Sequence, residues 1–328
     1  MTSKLFSATP LSLYADRMPK ADAPAKKPAA KSKTPAADKP AVKAAAKAAL
    51  KPRTSAAKET PRRAVTALPS GDGRLRLVPI QRLAQGGRWR VEAMRSYADP
   101  VLYWFTRGQG RVTIGGVTRG YGAHNAIFVP AGAMHGFEAG PQSFGTALFF
   151  GRGDDLGLPA EPLHLRVRDA IPQGELSGIF DQIQRELDGA RPGHERAARH
   201  YLGLLSVWLE RHAGEAEAGR SDAYHKLARR YVDLLETGYR SGRNVADFAR
   251  ELGVTPTHLT RVCNKTCGRS ASDLLHDRLI FEARRMLMET QLPVARVSAE
   301  LGFTSAAYFT RAFQNRTGRT PSAFRREP

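Results

Sequence analysis

The stretch ELGFTSAAYFTRAF (Glu300–Phe313) restates, about fifty residues on, what ELGVTPTHLTRV (Glu251–Val262) has already said. Val245, Phe248, Leu252 and Gly253 match Val294, Val297, Leu301 and Gly302 at a separation of 49, and Leu259, Thr260, Arg261 and Gly268 match Phe309, Thr310, Arg311 and Gly318 at 50. One residue is therefore inserted in the second copy, near the turn or the start of the helix that follows it. Each copy has the chemistry of a helix, a tight turn and a second helix. Asn244 with Asp247 reads as a capped helix start, and Gly253 and Gly302 supply the left-handed residue that ends the first helix. Thr255 before Pro256, and Thr304 or Ser305, then cap the second. Two helices joined so tightly cross steeply and leave the second free on one face.

Helical periodicity buries Leu259 and Val262 in one copy and Phe309, Ala312 and Phe313 in the other. Thr257, His258, Thr260 and Arg261, and then Ala306, Ala307, Tyr308, Thr310 and Arg311, face outward. Arginine grips guanine bidentately, and threonine meets a base edge or a thymine methyl, so the two faces read as candidate DNA-binding surfaces. Between the copies, SASDLLHDRLIFEARRMLMET is expected to be one long helix capped by Ser270, with Asp273 three residues on and Leu275, Leu279, Ala283, Met286 and Leu287 on its apolar face. Such a spacer would hold two reading heads about 34 Å apart, one turn of B-DNA.

Charge is distributed to match. Of the formal +20, residues 1–63 carry 15 Lys+Arg against 4 Asp+Glu and residues 224–328 carry 18 against 10, while residues 64–223 are nearly neutral. Basic ends flanking a neutral middle point to a polyanionic partner. The Ala/Lys/Pro-rich run from Met18 to about Pro69 has too few large apolar side chains to offset its ordering entropy and reads as a disordered basic tail. No apolar run approaches the roughly 20 residues that span a bilayer, and the start lacks the apolar core of a secretory signal. Two cysteines, Cys263 and Cys267, make no disulfide framework and fall short of a four-ligand zinc site, which fits a cytoplasmic protein with no metal and no cofactor.

The middle of the chain changes period. RLRLVPI, VLYWFT, GRVTIGG, AIFVPAG and GTALFF, separated by glycine-rich turns, are the pattern of antiparallel strands in a sandwich or barrel. Beyond Glu175, Leu176, Ile179, Phe180, Ile183 and Leu187 form one helical stripe and Tyr201, Leu204, Leu205, Trp208 and Leu209 another, broken by GARPG. These stripes either close the barrel core or pair with a second subunit.

The segment Tyr224–Arg326, and VSAELGFTSAAYFTRAFQNRTGRTPSAFRR within it, resembles the AraC/XylS family of transcriptional regulators. The first copy departs from that pattern at Ala271, where proline is usual, and at Cys263, where phenylalanine is usual. By the same resemblance, Thr257, Thr260, Arg261, Ala306, Ala307, Tyr308, Thr310 and Arg311 would be base-facing. GAHNAIFVPAGAMHGFEAG resembles the second motif of the cupin barrel, with Gly122, Pro130, Gly132 and His135 matching. The first cupin motif, which usually supplies two His and a Glu, is replaced by ADPVLYWFTRGQG, so His135 stands alone and metal binding is not expected. A barrel mouth lined by Tyr97, Tyr103, Phe105, His124 and His135, with Arg90 or Arg107 for a carboxylate, becomes the candidate effector site.

The expected architecture is α+β and multidomain: a basic tail over 1–69, a cupin-like barrel over 70–160, a helical dimerisation region over 161–220 and a double helix-turn-helix domain over 221–328. The expected function is a dimeric, cytoplasmic, nucleoid-associated activator rather than an enzyme. It would bind double-stranded operator DNA under the control of a small effector, an aromatic or other organic acid, and act with RNA polymerase. The alternatives are a cupin metalloenzyme fused to a DNA-binding module and a nucleoid-architectural protein driven by the tail.

Overall fold

Residues 74–151, 155–189, 191–215 and 222–326 are described by a computed structural model of the chain. The basic tail expected to be disordered lies outside them. Strand β1 (Arg76–Pro79) runs into two short helices, α1 (Ile80–Leu83) and α2 (Trp89–Glu92). The strands β2 (Val101–Arg107), β3 (Gly110–Ile114), β4 (Val117–Tyr121), β5 (Asn125–Val129), β6 (His135–Phe137), β7 (Phe144–Phe149) and β8 (Leu163–Arg166) follow. They pair antiparallel in two sheets, ordered β1-β7-β2-β5-β8 and β4-β3-β6. Gly115 and Gly116, both at positive φ, make the two-residue hairpin turn between β3 and β4.

Alternation along β2 shows how the sheet is used. Tyr103 and Phe105 point into the barrel, against Tyr121, Phe137 and Phe149, while Leu102 and Trp104 point the other way. That outer face is covered by α3 (Ala170–Asp188) and α4 (His194–His212), whose Leu176, Phe180, Ile183, Leu202, Leu205, Trp208 and Leu209 are all buried against it. The apolar stripes of the two helices therefore close the outside of the sheet. The first of them begins at Ala170, ahead of the apolar stripe that announced it, with Asp169 the last extended residue before it.

The remaining helices are α5 (Ala223–Gly238), α6 (Val245–Glu251), α7 (Pro256–Cys267), α8 (Ala271–Glu289), α9 (Val294–Glu300), α10 (Ala306–Thr317) and α11 (Pro321–Arg326). The expected caps are in place: the Asn244–Asp247 capping box, Thr255 ahead of Pro256, Ser270 on Asp273, and Ser305 rather than Thr304. Ala271 opens α8 without proline because Ser270 already accepts from the Asp273 amide. The extra residue of the second copy lies in the turn, which takes residues 252–255 in one unit and 301–305 in the other.

The barrel is docked on this helical domain. Met94 and Met134 join the helical core, and Trp89 of α2 packs edge-on against Phe281 and Phe324 with the Arg284 guanidinium 4.7 Å above its ring. Ser96 donates to Glu236 of α5 at 2.5 Å. Glu236 in turn meets Arg278 of α8, whose other partners are Glu282 and the Tyr239 hydroxyl. Burial alone would raise the Glu282 carboxyl, but Arg285, Arg278 and Arg240 hold it down at about 2.

Candidate nucleic-acid interface and sensor core

The two second helices, α7 and α10, are seated by their apolar sides. Leu259, Val262 and Cys263 of α7, and Phe309 and Phe313 of α10, are fully buried. What remains outside is a short polar face on each. On α7, Thr257 and Arg261 are exposed and His258 and Thr260 half-buried. Arg261 does not stand alone: its Nη2 donates to His258 Nδ1 at 2.9 Å, one turn back, so the imidazole holds the guanidinium on the helix surface. Asn264 and Lys265, absent from the residues expected to read DNA, continue the same face, and Lys265 Nζ sits 3.9 Å from the centre of the Tyr224 ring.

On α10 the face is built differently. Ala307, Tyr308 and Arg311 are exposed, and Ala306 and Thr310 are half-buried. Thr310 donates its hydroxyl to the Ala306 carbonyl at 2.8 Å, which spends its polar atom on the helix backbone and leaves the methyl as its apolar part. Tyr308, 48% exposed, leans on Phe303. The first head thus offers a positioned cation and hydroxyls, and the second an apolar surface of alanine methyls, a threonine methyl and a phenol ring beside Arg311. Phosphate contacts only position a protein on DNA, whereas such side chains meet base edges and thymine methyls.

The expected effector residues separate into four places. Tyr97, Tyr103, Phe105 and His135 converge inside the barrel, with Tyr103 and His135 rings 5.8 Å apart and Tyr103 and Phe105 6.3 Å apart. Arg90 lies elsewhere, buried on α2 against the helical domain with Nη2 3.6 Å from the Met288 sulfur. Arg107 is exposed at the end of β2 over the Phe144 ring. His124, at φ +56°, tilts against Trp104 and lines an open cavity of about 560 Å³ with Asn125, Arg166, Arg168 and Gln173.

At the centre of the converging group is Arg95, which periodicity did not single out. Its side chain is completely buried, and its partners are all neutral oxygens: the Tyr97 hydroxyl at 2.7 Å, the Tyr103 hydroxyl at 3.4 Å, and the carbonyls of Val91 at 2.6 Å and Ala93 at 3.4 Å. His135 Nδ1 lies 2.9 Å from the Ala133 carbonyl, which can only accept, so Nδ1 carries the proton and Nε2 accepts from Tyr103 at 2.8 Å. Burial, reinforced by the nearby Arg95 charge, lowers His135 to about 3 and keeps it neutral. The ring is thereby committed to two hydrogen bonds rather than to a metal. Among the described residues no group of three or more His, Cys, Asp or Glu could hold one.

Cys263 and Cys267 are buried and free, with burial pushing Cys263 up to about 12, so both behave as small apolar fillers. No described helix is long and apolar enough to cross a membrane.

Residues 248–327 match the family model of a helix-turn-helix domain. The chain is similar to the Msm operon regulatory protein of Streptococcus mutans, 22% identical over 236 residues that make up 69% of this chain and 84% of that protein. It is also similar to the arabinose operon regulatory protein of Escherichia coli, 32% identical over 159 residues, 48% of this chain and 53% of that one. The chain thus spans most of the first relative and about half of the second. Among solved structures it is similar to ToxT from Vibrio cholerae, 11% identical with a TM-score of 0.35, over 77% of this chain and 96% of that one.

Proposed function

With a C-terminal domain of the AraC/XylS type, we propose that this protein is a transcription regulator that reads an asymmetric DNA site with two unlike heads under the control of a small molecule. The observation that carries the reading is the pair of exposed, differently built faces on α7 and α10, left uncovered while the barrel is docked on the same domain. The effector belongs to the barrel domain, and the arginines at the open cavity, Arg166 and Arg168, favour an organic acid. Leu204 and Val207 of α4, 56% and 39% exposed, lie three residues apart on the face turned away from the sheet and supply an apolar strip for a second copy of the chain. Activation through RNA polymerase and a cytoplasmic, nucleoid-associated location complete the reading; no enzymatic activity is proposed.

The test begins with duplexes selected from a random library by the full chain. Arg311→Ala is expected to weaken binding by about 1–3 kcal/mol and to relax discrimination at one base position. An equal loss on every sequence would reduce Arg311 to a phosphate contact and overturn its role as a reader.

A further inference from the structure

Both reading units are tied to one carboxylate of the spacer helix, Asp277, and the second also to Asp273 one turn before it. Asp273 and Asp277 lie one turn apart near the start of α8. Arg269, the first residue after the Gly268 cap of α7, donates Nη1 to Asp277 Oδ2 at 2.6 Å. Arg316, in the last turn of α10, donates Nη2 to Asp273 Oδ1 at 2.6 Å and reaches Asp277 Oδ1 at 3.5 Å. The two oxygens of Asp277 are therefore divided between the two heads. Ser270 fixes the cluster from below by donating to Asp273 Oδ2 at 2.7 Å, and the Nη2 of Arg269 reaches the Glu92 carbonyl of the barrel at 3.4 Å.

The Arg269–Asp277 half of the cluster differs from an ordinary surface ion pair, while Arg316 and Asp273, 36% and 44% exposed, are more open to solvent. The Asp277 and Arg269 side chains are 24% and 33% exposed, so solvent screens them only in part. The apolar seats of α7 and α10 are non-directional, whereas a planar guanidinium bonded on two sides, Arg269 between Asp277 and the Glu92 carbonyl and Arg316 between Asp273 and Asp277, fixes an angle as well as a distance. We infer that the Arg269–Asp277–Arg316–Asp273 cluster sets the spacing and rotation between the two heads, and so determines which separation of half-sites the protein accepts. Arg269 and Asp277 are positioning residues in this account, touching no base. The inference rests on the two-headed reading proposed above.

The experiment uses the full chain and the duplex recovered from the random library, remade with the interval between its two half-sites changed by one and two base pairs. Each base pair moves one head by about 3.4 Å along the duplex and about 35° around it. The unsubstituted chain is expected to lose at least about tenfold in affinity for a one-base-pair change. Asp277→Asn should flatten that profile to about threefold or less. Removing a negative charge raises affinity for every interval alike, so only the ratio between intervals reports the lock. Arg269→Lys keeps the charge and loses the planar guanidinium that spans Asp277 and the Glu92 carbonyl, and should give an intermediate profile. If Asp277→Asn does not fold by circular dichroism, Asp273→Asn and Arg269→Lys are read in its place. Retention of the original profile by the folded variants would overturn the inference and leave the two-headed reading standing. Selected duplexes without two separate half-sites would overturn both.

Discussion

The two helix-turn-helix units carry nearly the same words and are held by different physics. In the first, Gly253 sits at φ +71° with nothing within 4 Å of where a Cβ would stand; in the second, Gly302 sits at φ +75° against the backbone of Arg240 and Gly242. The first unit starts on a full capping box, whereas Pro293 before α9 makes no side-chain cap. The buried anchor at the matched position is Cys263 in one unit and Phe313 in the other. The first unit is thus specified mostly by its own local chemistry, and the second mostly by what it is packed against. A repeat can diverge in this way because the same backbone geometry is reached equally well through caps or through packing.

The widest gap between the two should appear at the anchors. Phe313→Ala is expected to destabilise the chain by about 3–5 kcal/mol in chemical denaturation, the usual range for emptying a buried aromatic site, while Cys263→Ala removes a single sulfur and should cost about 1 kcal/mol. Similar losses at the two sites would mean that the anchors are interchangeable. Next come the glycines. Gly302→Ala adds an overlap with backbone that cannot swing away, about 1–3 kcal/mol, to the 1–2 kcal/mol or so of a left-handed residue; Gly253→Ala bears only the second. Equal melting temperatures for this pair would show that the second turn is not pinned by residues 240–242.

A smaller effect tests the caps. Asn244→Ala should cost about 1 kcal/mol, seen as faster amide exchange confined to the first turn of α6. An unchanged exchange rate there would remove capping from the account of how the units differ. The smallest effect concerns the reading faces themselves. His258→Ala frees Arg261 from its side-chain partner and should weaken binding to the selected duplex by about 0.5–1 kcal/mol, the worth of one modest hydrogen bond. No change in affinity would leave the imidazole without a role in holding the guanidinium.

Much of the DNA-binding half was legible because its rules are local. Caps, helix-ending glycines and apolar positions at helical spacing act over three to four residues, and they appear in the structure where the pattern put them, except that Ala312, expected on the buried side of α10, is half-buried. The barrel strands were legible for the same reason, through alternation and turn glycines. The barrel core was only partly legible. Tyr97, Tyr103, Phe105 and His135 stood out as aromatic or titratable residues on strands or beside them, but Arg90 and Arg107 were grouped with them by chemistry alone and lie elsewhere. Arg95 escaped because it sits in the irregular run EAMRSYADP, where no period says which side chain turns inward. Likewise, Asp273 and Asp277 show a helical spacing, yet nothing local connects Asp277 to Arg316, 39 residues later.

The sequence by itself determined that this chain carries two capped helix-turn-helix units on a shared spacer, after a strand-rich domain and two amphipathic helices, because each of those features is enforced within a few residues. Only the tertiary structure decided that the amphipathic helices close over the sheet, that a fully buried arginine is satisfied by phenols and carbonyls, and that one carboxylate, Asp277, is shared by both helix-turn-helix units. Those outcomes depend on groups far apart in the chain being brought within hydrogen-bond reach, and burial strengthens such bonds only after the fold has excluded the water.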